Sequence, residues 1–243
     1  MKILVCISNV PDTTSKINFT DGDTKFDTNG VQFVINPNDE FGLTRAMWFK
    51  EKQGATVHVA TVGEASTEPT IRKALAIGAD EAIRINAIPT DGYFVAEQLA
   101  EIVKNGEYDL VIAGRESIDY NGGMVPGIDA DADADSTDNT AQSLGKLRQK
   151  LIDGGKEKIS TSLPLVIGGQ KGLVAESDLR IPNMRGIMMA RQKKLNVLEP
   201  ISANKSTNDV NFEKPEPKGQ VKLVDADNID ELINLLHNEA KVI

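Results

Sequence analysis

Thr56-Val57-His58-Val59-Ala60-Thr61-Val62, then Thr67-Glu68-Pro69-Thr70-Ile71-Arg72-Lys73-Ala74-Leu75-Ala76-Ile77-Gly78, then Glu81-Ala82-Ile83-Arg84-Ile85, is the stretch that decides the fold. The first and third runs are of strand length and mostly apolar or β-branched, interrupted by His58 in one and by Glu81 and Arg84 in the other. The middle run repeats its apolar residues at helical spacing and stops at a glycine. A strand, a helix and a second strand in such close succession predict a crossover unit with parallel strands.

The same alternation extends outward in both directions. Ile3-Leu4-Val5-Cys6-Ile7 is a continuous apolar run broken by Pro11-Asp12, so it reads as a buried, central strand. Val31 to Ile35 reads as a second, less regular strand, cut by the turn Asn36-Pro37-Asn38-Asp39, which opens a helix carrying Phe41, Ala46, Met47 and Phe49 and stopped by Gly54. Gly92 to Lys104 places Phe94, Val95, Leu99, Ile102 and Val103 on one helical face. Gly106 closes that helix before the strand Leu110 to Gly114. The predicted class is α/β: a doubly wound, mostly parallel sheet with helices on both faces. Such sheets take ligands at the carboxyl ends of their strands. Four places therefore become candidate site loops: the loop after Ile7, the turn Asn36 to Asp39, the turn after Val62 and the loop Gly114 to Gly127.

Farther on, Ile152 to Gly155 reads as a turn, Ile159 to Ile167 as a strand, Gly168 to Gly172 as a flexible loop and Ile187 to Arg191 as a short helix. Residues 1–198 are expected to form the α/β domain, with 128–151 as an atypical acidic segment. Residues 199–243 are expected to form a C-terminal arm and helix. The arm is rich in Pro, Lys, Asn and Ser, while Asp227 to Ala240 is amphipathic, with Asp227 or Asn228 as its cap. A helix on so long a tether must bury its apolar face on its own core or on a partner.

Composition narrows the function. The 243 residues are 40% hydrophobic and 26% charged, an ordinary globular balance. A net charge of -9, with Arg191-Gln192-Lys193-Lys194 as the single basic run, argues against broad nucleic-acid binding. No apolar run approaches the roughly 20 residues of a bilayer crossing, and the short apolar run at the start does not read as a signal peptide, so we expect a cytoplasmic protein. Cys6, the one cysteine, has no partner for an intrachain disulfide and reads as a small buried hydrophobe. The two histidines, His58 in a strand and His237 in the terminal helix, are poorly placed for nucleophilic catalysis. Neither a P-loop nor the G-x-G-x-x-G dinucleotide fingerprint is present. The Asp129 to Asp135 alternation fails the glycine and glutamate positions of a calcium loop. What stands out is Gly114-Arg115-Glu116-Ser117-Ile118-Asp119-Tyr120-Asn121-Gly122-Gly123. This loop follows a buried-type strand and is able to present backbone N–H groups to an anion.

Several of these stretches together resemble the electron-transfer flavoprotein beta subunit: Ile3 to Ile7 with Val10 and Asp12, Asn36 to Glu40, Arg72 to Asp80, Gly114 to Asp119, Ile152 to Gly155, Ser162-Leu163-Pro164 and Pro182-Asn183, in that order. The resemblance implies an adenine-nucleotide α-hydrolase-like domain that performs no bond chemistry and binds AMP, or a second FAD in electron-bifurcating members. It implies an alpha-subunit partner that holds most of the redox FAD, and electron exchange with acyl-CoA or other dehydrogenases. Carried over position by position, it makes Cys6 the strand end beside the nucleotide and Asn36, Pro37, Asn38 and Asp39 the turn around its adenosine. Val62 becomes the end of the third strand. Gly114, Arg115, Asp119, Asn121, Gly122, Gly123 and Val125 become the phosphate loop, and Leu173 the apolar contact for a dehydrogenase. Gly123, Met124 and Val125 stand where relatives carry Asn, Gln and Thr, which shifts the expected phosphate contacts to backbone donors. The rival readings are a nucleotide-hydrolysing or adenylating enzyme using Arg115, Asp119 and Asn121, and a stress-type nucleotide sensor.

Overall fold

The computed structural model describes residues 1–127, 162–216 and 221–242. Its centre is a six-stranded sheet built from β1 (Lys2–Cys6), β6 (Thr56–Val62), β7 (Glu81–Ile85), β8 (Leu110–Gly114), β9 (Leu165–Gly169) and β10 (Leu195–Leu198), in the order β10-β7-β6-β1-β8-β9. Every pairing in it is parallel. From β1 the chain moves outward through β6 and β7, then crosses back to lay β8 on the other flank of β1. The strand order therefore reverses between β1 and β8, which is where a doubly wound sheet opens a crevice.

Side chains alternate between two apolar layers. Ile3 and Val5 of β1 pack with Leu43 and Met47 of α1 (Pro37–Gln53) and with Ile71 and Leu75 of α2 (Glu68–Ile77). Leu4 and Cys6 point to the opposite face, against Leu99, Ile102 and Val103 of α3 (Gly92–Gly106). Full burial of Ile3, Leu4 and Val5 contributes about 1.5–3 kcal/mol each, which is why β1 reads as an uninterrupted apolar run. Helix α1 begins on Pro37, carries Asp39 and Glu40 in its first turn and Lys50 and Lys52 in its last, and is stopped by Gly54 in the left-handed region.

The structure departs from the sequence reading in several places. Phe33–Ile35 (β5) lies outside the parallel sheet and pairs antiparallel with Asn9–Pro11 (β2), since Pro11 and Pro37 leave room for only a three-residue ribbon. A hairpin of Phe19–Thr20 (β3) and Lys25–Phe26 (β4) occupies the connection expected to be a loop, turning through Asp21, Gly22 and Asp23, all at positive φ. Gly168 and Gly169 belong to β9, and β10 adds an edge strand where none was expected. At the end of α3 the left-handed residue is Glu107, while Gly106 is glycine because the Tyr108 ring occupies the space a Cβ would need. The acidic segment 128–151, the turn at Ile152 and the start of the strand expected at Ile159 lie outside the described residues.

The short helix expected at Ile187 is α4 (Met184–Ala190), and the terminal one is α5 (Ile229–Asn234), capped by the Asn228 side chain, which accepts from the Glu231 N–H. Ile229, Leu232 and Ile233 of α5 are exposed, while Leu235 and Leu236 in the π-helical turn Leu235–Glu239 that continues it are half-buried, so the apolar face is only partly covered on this chain.

Helix α1 crosses β8 so closely that a Cβ on Gly42 would sit 2.7 Å from Ile112 Cγ2. Ile112 is fully buried and β-branched, and has nowhere to move. Gly42→Ala is expected to lower unfolding free energy by about 1–3 kcal/mol in urea titrations. Unchanged stability would mean that the helix sits farther from the sheet.

Candidate functional site

The residues gathered at the carboxyl ends of β1 and β8 are organised by Asp39. This side chain, 2% exposed in the first turn of α1, accepts the Ser8 N–H through Oδ2 and the Gly114 N–H through Oδ1, both at 2.7 Å. One carboxylate thus ties the chain leaving β1 to the last residue of β8. Asn36, fully buried, accepts the Ile118 N–H at 3.2 Å and donates to the Glu116 carbonyl at 2.9 Å, while its own N–H donates to the Ser8 carbonyl at 3.0 Å. Asn38 donates to the same Glu116 carbonyl at 2.9 Å. The four-residue turn therefore holds both neighbouring loops by side-chain hydrogen bonds, each made where backbone groups lack sheet partners.

Gly114 is required by this frame. A Cβ there would lie 2.1 Å from Asp39 Oδ1 and 2.9 Å from Asn36 Nδ2. Beyond it the loop is folded on itself: the Arg115 N–H donates to the Gly169 carbonyl at 2.7 Å and the Ser117 N–H to the Gly122 carbonyl at 3.0 Å. The Tyr120 N–H is taken by Asp119 Oδ1 at 2.9 Å, and the Arg115 guanidinium is paired with Glu116 at 2.8 Å. Asn121 turns the chain in the left-handed region, with a φ of 51°.

Of the sequence-predicted residues, the structure brings together Asn36, Asn38, Asp39 and Gly114, with Arg115, Asp119, Asn121, Gly122, Gly123 and Val125 following in the same loop. Asn36, Asp39 and Gly114 form the frame itself, while the amides of Arg115, Ser117, Ile118 and Tyr120 are donated inside the protein. Pro37 serves as the first residue of α1. Cys6 is buried on the α3 face at the end of β1, and Val62 is buried at the end of β6. Leu173 is half-buried against Gly169, with Cδ2 3.4 Å from the position of a Cβ there. Sequence reasoning missed Ser8 and the Glu116 carbonyl, because both act through backbone atoms, which no residue type announces.

The end of β8 at Gly114 is closed over by the Asp39 and Asn36 side chains, and beyond it a glycine-containing turn, Asn121 to Gly123, stands where backbone dipoles can meet an anion. A separate cavity of about 220 Å³, lined by Ile83, Ile85, Gln98, Tyr108, Leu198 and Ile201 among others, lies by α3, away from these loops. Among the described residues no cluster of His, Cys, Asp or Glu is arranged to hold a metal ion, and no helix is long and apolar enough to cross a membrane.

With the fold and frame established, comparison with known proteins gives the class. A family model described as Electron transfer flavoprotein domain matches residues 23–203. The chain is 32% identical over 269 aligned positions to the electron transfer flavoprotein subunit beta of Bacillus subtilis, covering all of both chains. It is 30% identical to that of Syntrophomonas wolfei, covering all of this chain and 98% of the relative. It is 33% identical to that of Mycobacterium bovis, covering 81% of this chain and 78% of the relative. The chain belongs to the electron transfer flavoprotein family, and the relatives it matches are beta subunits.

Burial raises Asp39 from its ordinary 3.8 to about 7, against the pull of its bonds from Ser8, Asn36 and Gly114. The folded state thus keeps this proton over a window, from about pH 4 to about pH 7, in which the unfolded chain has lost it. Folding binds a proton there, so this group's stabilising contribution falls as pH rises through the window and is level above it. Asp39→Asn offers one acceptor to two N–H donors and is expected to cost about 1–3 kcal/mol at about pH 5. The cost should shrink toward about pH 7.5, read as unfolding free energies of both proteins across that range. A pH-independent cost would show that Asp39 does not titrate there. Gly114→Ala is expected to destabilise by roughly 2 kcal/mol or more, because the methyl displaces the Asp39 carboxylate.

Proposed function

We propose that this chain is the nucleotide-holding, non-catalytic half of a heterodimeric electron carrier. Its strand-end crevice binds AMP, or a second FAD, and its partner, an alpha subunit, holds most of the redox FAD. When bound, the flavin supplies the redox chemistry, accepting electrons from acyl-CoA or other dehydrogenases and delivering them to a downstream acceptor. The residues of this chain bind and orient. In this reading the loops leaving β1 and β8 and the turn Asn36 to Asp39 take the adenosine, and the Asn121 to Val125 part of the loop faces the phosphate.

The observation that carries this reading is the Asp39 bridge between Ser8 and Gly114, a buried carboxylate that ties two strand-end loops together where the strand order of the sheet reverses. Family membership supports the electron-transfer role. The exposed Ile229, Leu232 and Ile233 of α5, with Val221 and Leu223 before them, support assembly with another chain, because an isolated helix of this length has little stability of its own. Dehydrogenases dock, in this reading, on the loop carrying Leu173.

The test is native purification followed by mass spectrometry of the ligand released on denaturation. We expect a flavin-bearing partner to co-purify and an adenine nucleotide to be released at about one per copy of this chain, in addition to the partner's FAD. A colourless monomer releasing no nucleotide would overturn the reading.

A further inference from the structure

The arm that follows β10 does not leave the domain. The Gln98 side chain, fully buried in α3, grips Ile201 from both sides, accepting its N–H at 2.8 Å and donating to its carbonyl at 3.0 Å. Asp91, which already caps α3 by accepting the Phe94 N–H at 2.8 Å, uses its other oxygen to accept the N–H groups of Ser206 and Thr207 at 2.6 and 2.7 Å. The Asp209 carboxylate then lies beside Tyr120. The Phe212 ring stacks on Phe19 with centroids 4.9 Å apart, its N–H donates to the Asp23 carbonyl at 2.7 Å, and Lys214 donates to Asn18 at 2.9 Å.

The order of these anchors defines a path. Asp91 lies beyond the carboxyl end of β7, Tyr120 beyond that of β8, and Asn18 to Asp23 in the excursion that follows β1. In the sheet, β6 and β1 lie between β7 and β8, so a chain pinned at Asp91, running beside Tyr120 and pinned again at the excursion after β1 passes across the strand ends where the strand order reverses. Ala203 and Phe212 are half-buried, whereas most side chains from Ile201 to Glu216 are exposed, Val210 by 80%. The segment is therefore held by a few discrete bonds and not by a core of its own, the condition for a local opening that leaves the rest of the fold intact.

We propose that residues 201–214 are a strap across the mouth of the strand-end crevice and that Asp91 is its latch. The strap sets how fast the crevice exchanges its contents, and this part of the proposal rests on the reading that those contents are a nucleotide. A charged acceptor serving two adjacent backbone donors is the strongest single fastening along the path.

Asp91→Asn isolates the latch. Asn caps a helix as well as Asp does, so α3 stays capped, but the amide then turns N–H groups toward the N–H groups of Ser206 and Thr207. Phe212→Ala loosens the far end without touching α3. In the full chain purified with its partner, amide hydrogen exchange is expected to accelerate in both variants at 203–212 and, together with it, at 115–123, with β1 and β6 unchanged. Release of radiolabelled AMP into excess unlabelled AMP should speed up about tenfold, equivalent to about 1.4 kcal/mol. Faster exchange in 203–212 with unchanged protection of 115–123 and unchanged AMP release would overturn the strap, and unaltered exchange at 203–212 in Asp91→Asn would overturn the latch. If neither wild type nor variants bind AMP, the nucleotide reading fails. The exchange data then still decide the strap, which stands if 203–212 and 115–123 open together and falls if they do not.

Discussion

The carboxylate of Asp39, buried where the first turn of α1 meets the ends of β1 and β8, is the constraint on which the site depends. Parallel strands end in loops whose backbone groups have no ladder partner, and here two of those N–H groups converge on one side chain. The bridge fixes the spacing of the two loops, forbids a side chain at Gly114 and places Asn36 to serve the Glu116 carbonyl and the Ile118 N–H. The arrangement has an electrostatic cost, since burial without a cationic partner raises the acid.

Much of the sheet was legible in the sequence because its central strands are covered on both faces. Leu110 to Gly114 reads as a continuous apolar run for that reason and Thr56 to Val62 as a mainly β-branched run interrupted by His58, and the bounds of both match the structure. Arg84 is the exception inside β7. It is buried, donates to the Gly63 carbonyl and to Asn86 Oδ1, each at 2.9 Å, and leaves Nε without a hydrogen-bond partner, so no pattern of apolar residues could announce it. The edge strand β10 was invisible because edge positions are half exposed, with Val197 and Leu198 facing solvent, and because a basic turn precedes it. The hairpin at Phe19 had a readable cue in Asp21-Gly22-Asp23, but flanking strands of two residues carry no periodicity.

The site divides along the same line. Asn36, Asp39 and Gly114 were legible as side-chain chemistry at strand ends. Ser8, the Glu116 carbonyl and the arm's contacts with Asp91 were not, because they join backbone atoms across as many as 116 residues of sequence. The loop from Gly114 shows the limit most clearly. Its residue types suggested an anion cradle, yet several of its N–H groups are donated within the protein, so its first half serves as frame. The arm and α5 follow a different logic: the arm is fastened by isolated contacts, and α5 presents Ile229, Leu232 and Ile233 outward.

The central claim is that the opening framed by Asp39 holds an adenosine group. An electron-density map of the natively purified complex tests it most directly. The account predicts density for an adenine nucleotide between the chain leaving β1 and the loop after Gly114, with its phosphate beside residues 121–125. Protein side chains filling that space, or a nucleotide bound only elsewhere on the chain, would contradict it.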